Sequence, residues 1–186
     1  MKSTVLLSKL SISKRLAYTA LFTALCTVST LVITVPLPNG YFNTGDIFVL
    51  LGGWLLGPIY GAIAAGVGCA LADTVSGFAI YALPTLLIKA ATAAMAWLIA
   101  TLIKNTGKRT PFEVFRRTLA ALLGELCMVL GYFLFECVLY GVAGGVATLL
   151  GNAMQGLCCG VCAIVIYTVL SQTKGTKKLF PLLDEE

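Results

Sequence analysis

The chain reads as an all-α, polytopic membrane protein of six transmembrane helices with both termini cytoplasmic. Three observations predict this class. Of its 186 residues, 59% are hydrophobic and only 11% charged, and a mean hydropathy of +0.94 is too apolar for a soluble domain. The apolar residues fall into long runs divided by glycine–proline turns or basic clusters. Lysine and arginine gather on alternate connections, so the net charge of +5 reports membrane orientation rather than a nucleic-acid face.

Residues 1–15, with Lys2, Lys9, Lys14 and Arg15, read as a cytoplasmic N-terminal segment lying on the inner surface. The membrane domain occupies 16–171, and its first helix spans about Leu16 to Val35. At about 1.5 Å per residue this length matches a hydrocarbon core of about 30 Å. Pro36 and Pro38 end it, because proline cannot continue the hydrogen-bond ladder. Pro36 to Gly45, PLPNGYFNTG, is a turn-rich outer loop.

A short second helix, Asp46 to Leu56, turns at Gly57-Pro58 into a third, Ile59 to Ser76. The fourth covers Ala82 to Ile103, and an inner loop from Lys104 to Arg117 carries Lys104, Lys108, Arg109, Arg116 and Arg117. The fifth runs from Thr118 to Tyr140, a glycine-rich turn fills Gly141 to Gly145, and the sixth runs from Val146 to Ser171. Residues 172–186 form a cytoplasmic tail with Lys174, Lys177 and Lys178. The basic clusters fall before helix 1, between helices 4 and 5 and after helix 6, which places both ends inside. The first apolar run has no A-x-A cleavage site and more spans follow it, so it reads as a retained helix.

Lys89 breaks the topological pattern, since it lies about two turns inside helix 4. A charge at the bilayer centre costs about 2.5–3.5 kcal/mol on insertion scales, so Lys89 and Asp73 must face protein, water or each other. On helix 5, Glu125, Tyr132 and Glu136 share a stripe, and on helix 6 Asn152 and Gln155 stand one turn apart. Convergence of these faces with Lys89 and the loop residue Asn43 would form an outer pocket rimmed by Tyr41, Phe42 and Tyr81. Aromatic faces beside amides and charges suit a flat heterocycle held by stacking and hydrogen bonds. The alternative for Lys89 is an ion pair with Glu136 or Asp73 that only holds the bundle together. For Asp46 it is capping of the helix that it begins.

Small residues form contact ridges. Gly61, Ala65, Cys69, Asp73 and Gly77 repeat every four residues on helix 3, and Gly156 and Gly160 form a G-x-x-x-G pair on helix 6. Ala20 and Ala24 give helix 1 a small-residue face suited to a partner subunit. Chemistry motifs are absent. The chain has no histidine, its seven cysteines all lie inside predicted spans, and no metal or cofactor is expected. NTGKRT lacks the earlier glycine and the following Ser/Thr of a phosphate-binding loop, and no G-x-S-x-G or H-E-x-x-H occurs, so an enzyme is disfavoured.

The runs GYFNTGD, LLGPIYGAIAAGVGCALADTVSG, IYALPTLLIK, GELCMVLGYFLFE and GNAMQG, in register, resemble the substrate-binding S components of energy-coupling factor (ECF) transporters. They are most similar to the family named after a riboflavin transporter. The likeness covers about Lys14 to Ser171, and Ala20-x-x-x-Ala24 looks like the alanine motif that meets the transmembrane coupling subunit. The resemblance implies a multi-pass protein of the bacterial plasma membrane that binds a vitamin outside and delivers it by toppling. It also implies two ATPase subunits, with the loop bearing Tyr41, Phe42 and Asp46 as gate. Riboflavin, a pyridoxine-type or hydroxymethylpyrimidine-type ring and a modified purine all stay open as the vitamin. The rival functions are a structural or assembly membrane protein and a self-sufficient secondary carrier, although no inverted repeat relates residues 1–93 to 94–186.

Overall fold

The computed structural model describes residues 11–37, 39–103 and 110–173. They form α1 (Ile12–Val32), β1 (Thr34–Leu37), β2 (Gly40–Asn43), α2 (Asp46–Val75), α3 (Ala79–Leu102) and α4 (Thr110–Gln172). All four helices are long and apolar enough to cross a bilayer. The basic residues at 2, 9, 104, 108, 109, 174, 177 and 178 lie outside the described residues.

Four helices stand where six were expected because two connections are single glycines. Gly57 in α2 (φ 80°, ψ −174°) and Gly141 in α4 (φ 77°, ψ 173°) are non-helical. A side chain would strain such a backbone, so glycine makes the turn with no further loop. Each break reverses the chain. A Cβ built on Gly61 would lie 2.5 Å from the Gly52 carbonyl oxygen, whereas nine residues of straight helix separate their backbones by about 13 Å. Likewise a Cβ on Gly145 would lie 3.0 Å from the Phe133 carbonyl oxygen, against about 18 Å along a straight helix. The glycine-rich turn expected over Gly141 to Gly145 is therefore narrower, and helix resumes at residue 142.

α1 begins earlier and ends earlier than the sequence suggests. Ser11 caps it, its hydroxyl accepting from the Lys14 N–H at 3.4 Å. Helix stops at Val32 because Ile33, Thr34 and Val35 form a β-branched run before Pro36, and such residues fit a strand better. The expected loop is thus a β-hairpin, with β1 and β2 antiparallel in the register Thr34↔Asn43, Val35↔Phe42, Pro36↔Tyr41 and Leu37↔Gly40. This small hairpin is the one non-helical element among the described residues of an otherwise all-helical chain.

The 46–56 arm of α2 lies at the centre of the bundle. Its apolar side chains point in every direction, and Leu50, Leu51, Trp54, Leu55 and Leu56 are all at most 2% exposed. Around it pack small residues of its neighbours, among them Ala64, Ala96, Ala121 and Ala163. The outer faces are apolar instead, with Val138, Leu150 and Val75 at 87%, 73% and 72% exposure. Buried polar groups inside and bare aliphatic groups outside are the arrangement that suits a lipid solvent.

Arg116 and Arg117 are not loop residues. Both lie buried in α4, and both donate to Glu113 at 2.7 Å. Arg116 also reaches the Ala100 carbonyl at 2.9 Å, and Arg117 the Tyr167 hydroxyl at 2.6 Å. The Arg117 guanidinium packs 4.0 Å from the Tyr167 ring centre and 5.4 Å from that of Trp54. These contacts tie α2, α3 and both arms of α4 together at the end opposite the hairpin.

Candidate functional site

The hairpin does not lie across the bundle as a flat lid; it enters it. The Asn43 backbone N–H donates to Gln155 Oε1 at 2.8 Å, and Gln155 stands about 21 Å along its helix from the Gly141 turn. Asn43 spends its side chain locally, Oδ1 accepting from the Gly45 N–H at 2.9 Å. Its carbonyl accepts from the Cys159 thiol at 3.5 Å. Strand β2 is thereby anchored deep in the molecule, and α2 starts from that depth.

Asp46, the first residue of α2, lies at that depth rather than at the hairpin tip. It is 0% exposed and pairs with Lys89 Nζ at 2.6 Å. Its second oxygen accepts from Gln155 Nε2 at 2.5 Å. Gly45 holds the cap position and offers no side chain, so the capping alternative for Asp46 gives way to this pair. Lys89 accordingly pairs with neither Glu136 nor Asp73. Its ammonium lies 5.3 Å from the Tyr132 ring centre and does not reach the cavity wall. Asp46, Lys89 and Gln155 form a charge-balanced buried group beneath the pocket, a geometry in which removing one member exposes the other to an apolar surround.

Above this group lies a cavity between the hairpin, the end of α2, the start of α3 and both arms of α4. Leu37, Gly40, Tyr41 and Asn43 line it from the hairpin, and Asp73 and Phe78 from the end of α2 and the turn after it. Tyr81 and Thr85 contribute from α3, Tyr132, Glu136, Thr148, Asn152 and Gln155 from α4. The expected residues Asn43, Asp73, Tyr81, Tyr132, Glu136, Asn152 and Gln155 are thus brought together. Phe42 is not among them, because alternation along β2 turns it to the other face of the hairpin, paired with Val35. Glu125 is also off the wall. It is 5% exposed, with neither carboxylate oxygen bonded among the described residues.

The wall is an aromatic line carrying polar groups. Tyr41 packs 5.1 Å from Phe78, Phe78 lies 6.2 Å from Tyr81, and Tyr81 lies 5.2 Å from Phe135. The Tyr41 hydroxyl donates to Asp73 at 2.6 Å, and burial together with this bond raises the phenol above its ordinary pKa. Thr148 donates to Glu136, and Thr85 and Tyr132 share a hydrogen bond of 2.9 Å. The hairpin tip is pinned twice. The Tyr81 hydroxyl donates to the Asn39 carbonyl, and Asn39 Nδ2 donates to the Gly144 carbonyl at 3.1 Å.

Thr85 and Thr148 were not anticipated, although both lie one turn from residues that were: Tyr81, Thr85 and Lys89 make one stripe, and Thr148, Asn152 and Gln155 another. The empty volume is about 430 Å³ counting the open rim, of which about 40 Å³ admits the centre of a water molecule. That is room for about three waters. A second, open groove with an empty volume of about 1090 Å³, open solvent included, runs along α1, lined by Leu16, Ala20, Ala24 and Val28 with Leu71 of α2.

Three comparisons bear on this site. The family model described as ECF-type riboflavin transporter, S component, matches residues 9–172. A Pyrococcus woesei protein described as "Uncharacterized protein in gap 3'region" is 38% identical over 133 residues, which is 70% of this chain and 84% of that protein. The solved structure described as "Structure and mechanism of the S component of a bacterial ECF transporter" superposes with a TM-score of 0.64 at 20% identity. It covers 87% of this chain and 98% of its own, a likeness of fold.

Proposed function

The chain belongs to the ECF-type riboflavin transporter S component family, and from that premise we propose that it is the substrate-specific subunit of a vitamin uptake system. It binds a small water-soluble ring compound, such as riboflavin or a pyridoxine-like or hydroxymethylpyrimidine-like ring, at the hairpin end. The observation that carries this reading is the cavity under the hairpin, where aromatic rings meet Asp73, Glu136 and Asn152. Rings stack on rings, and the polar groups read the ring's edge. For a ring to enter, the hairpin tip must open, which requires the two hydrogen bonds on Asn39 to break.

On this reading the two glycine reversals divide the helices into six spans, and the positive-inside bias of the sequence puts residues 1–15 and 172–186 in the cytoplasm and the hairpin outside. No step of this work is catalytic. Ala20 and Ala24 line the groove on α1, where small side chains let a second helix approach closely. That groove receives a transmembrane coupling subunit, and two ATPase subunits supply the energy for toppling the loaded chain inward. Reconstitution tests this directly. Vitamin uptake into liposomes that needs the coupling subunit, the ATPases and ATP supports the reading. Uptake by the chain alone would make it a secondary carrier. No binding from a vitamin panel would make it a structural subunit.

A further inference from the structure

The charge of the pocket is legible apart from its shape. Two carboxylates, Asp73 and Glu136, line it at 6% and 3% exposure, and no lysine or arginine does so among the described residues. The nearby cation, Lys89, is spent on Asp46 at 2.6 Å. Asp73 is faced by the hydroxyls of Tyr41 and Thr85, and Glu136 by those of Thr148 and Tyr81, while each carboxylate has about four acceptor sites. Acceptor capacity therefore exceeds donor supply. Asn152, 8% exposed on the same wall, takes no part in the bonds that hold the hairpin. Tyrosine and phenylalanine faces complete the enclosure, and such faces attract cations through the ring quadrupole.

From this we infer that the pocket selects a nitrogen heterocycle carrying a protonated amine or a comparably donor-rich edge, over an uncharged or phosphorylated one. The inference rests on the reading of the chain as a solute-binding S component and adds the charge of the solute. A cationic group placed against Asp73 and Glu136 meets carboxyl acceptors, with no basic side chain on the wall to compete for them among the described residues. A phosphate meets two carboxylates and no counter-ion.

The test uses the full chain in nanodiscs and isothermal titration with matched probes: pyridoxamine, pyridoxine, pyridoxamine 5′-phosphate and riboflavin. Pyridoxamine and pyridoxine share a ring and differ by an amine in place of a hydroxyl. The expected result is pyridoxamine binding at least about tenfold tighter than the other three, a preference of about 1.4 kcal/mol. Asp73→Asn and Glu136→Gln should each cut that preference to less than about threefold. Pyridoxine or riboflavin binding as tightly as pyridoxamine overturns the charge inference and leaves the vitamin-binding reading standing. Binding of none of the four, with no other ring compound from a wider vitamin panel retained, overturns both.

Discussion

Replacing Lys89 by methionine tests how the pocket is supported. The substitution keeps an unbranched side chain, one heavy atom shorter, and deletes its charge, leaving Asp46, 0% exposed, with one oxygen still bonded to Gln155. Breaking a buried pair by removing one partner costs about 3–5 kcal/mol. For a chain of this size, 1 kcal/mol moves the melting midpoint by about 2–4 °C, so Lys89→Met should melt about 6–20 °C lower in detergent. Adding Asp46→Leu removes the orphaned charge, and the double variant should recover at least half of the loss. Thermal melts of the two single variants and the double close a double-mutant cycle. A drop of less than 2 °C for Lys89→Met, or a double variant no better than either single, would refute the claim that the pair is a buried unit.

Three further outcomes follow from the same geometry. Tyr81→Phe deletes one of the two bonds on Asn39, worth about 0.5–1.5 kcal/mol. Amide exchange in the hairpin should accelerate about 2- to 13-fold; unchanged exchange would show that Tyr81 does not hold the tip. Glu125→Met removes a buried carboxyl whose oxygens have no bond among the described residues, and should raise the midpoint by about 2–4 °C, a gain of about 1 kcal/mol. A fall of several degrees would reveal a partner. Ala20→Leu with Ala24→Leu should abolish co-purification of the coupling subunit while the isolated chain keeps its ligand affinity. Retained co-purification would clear the α1 groove of that role.

The helical part of the pocket could be read from spacing alone. Tyr132 and Glu136, and Asn152 and Gln155, lie one turn apart on apolar helices, and that period leaves one inward stripe for polar groups. What spacing cannot give is depth. Lys89 meets Asp46 because β2 dives far enough to start α2 in the middle of the bundle, a result of contacts 43 and 109 residues apart in sequence. The hairpin was hidden behind Pro36 and Pro38, which look like helix terminators. The cue was Ile33-Thr34-Val35, a β-branched run. Arg116 and Arg117 looked topological because they follow a basic segment. Their burial depends on Glu113 in the preceding turn and on Tyr167, 50 residues away.

Mass spectrometry of the small molecules that co-purify with the chain from its native membrane tests vitamin capture most directly. The account predicts one ring compound enriched over a mock purification, and lost when Asp73→Asn is combined with Asn152→Ala in a protein that still melts cooperatively. A chain that carries no ring compound, or one that keeps it in that double variant, would contradict it.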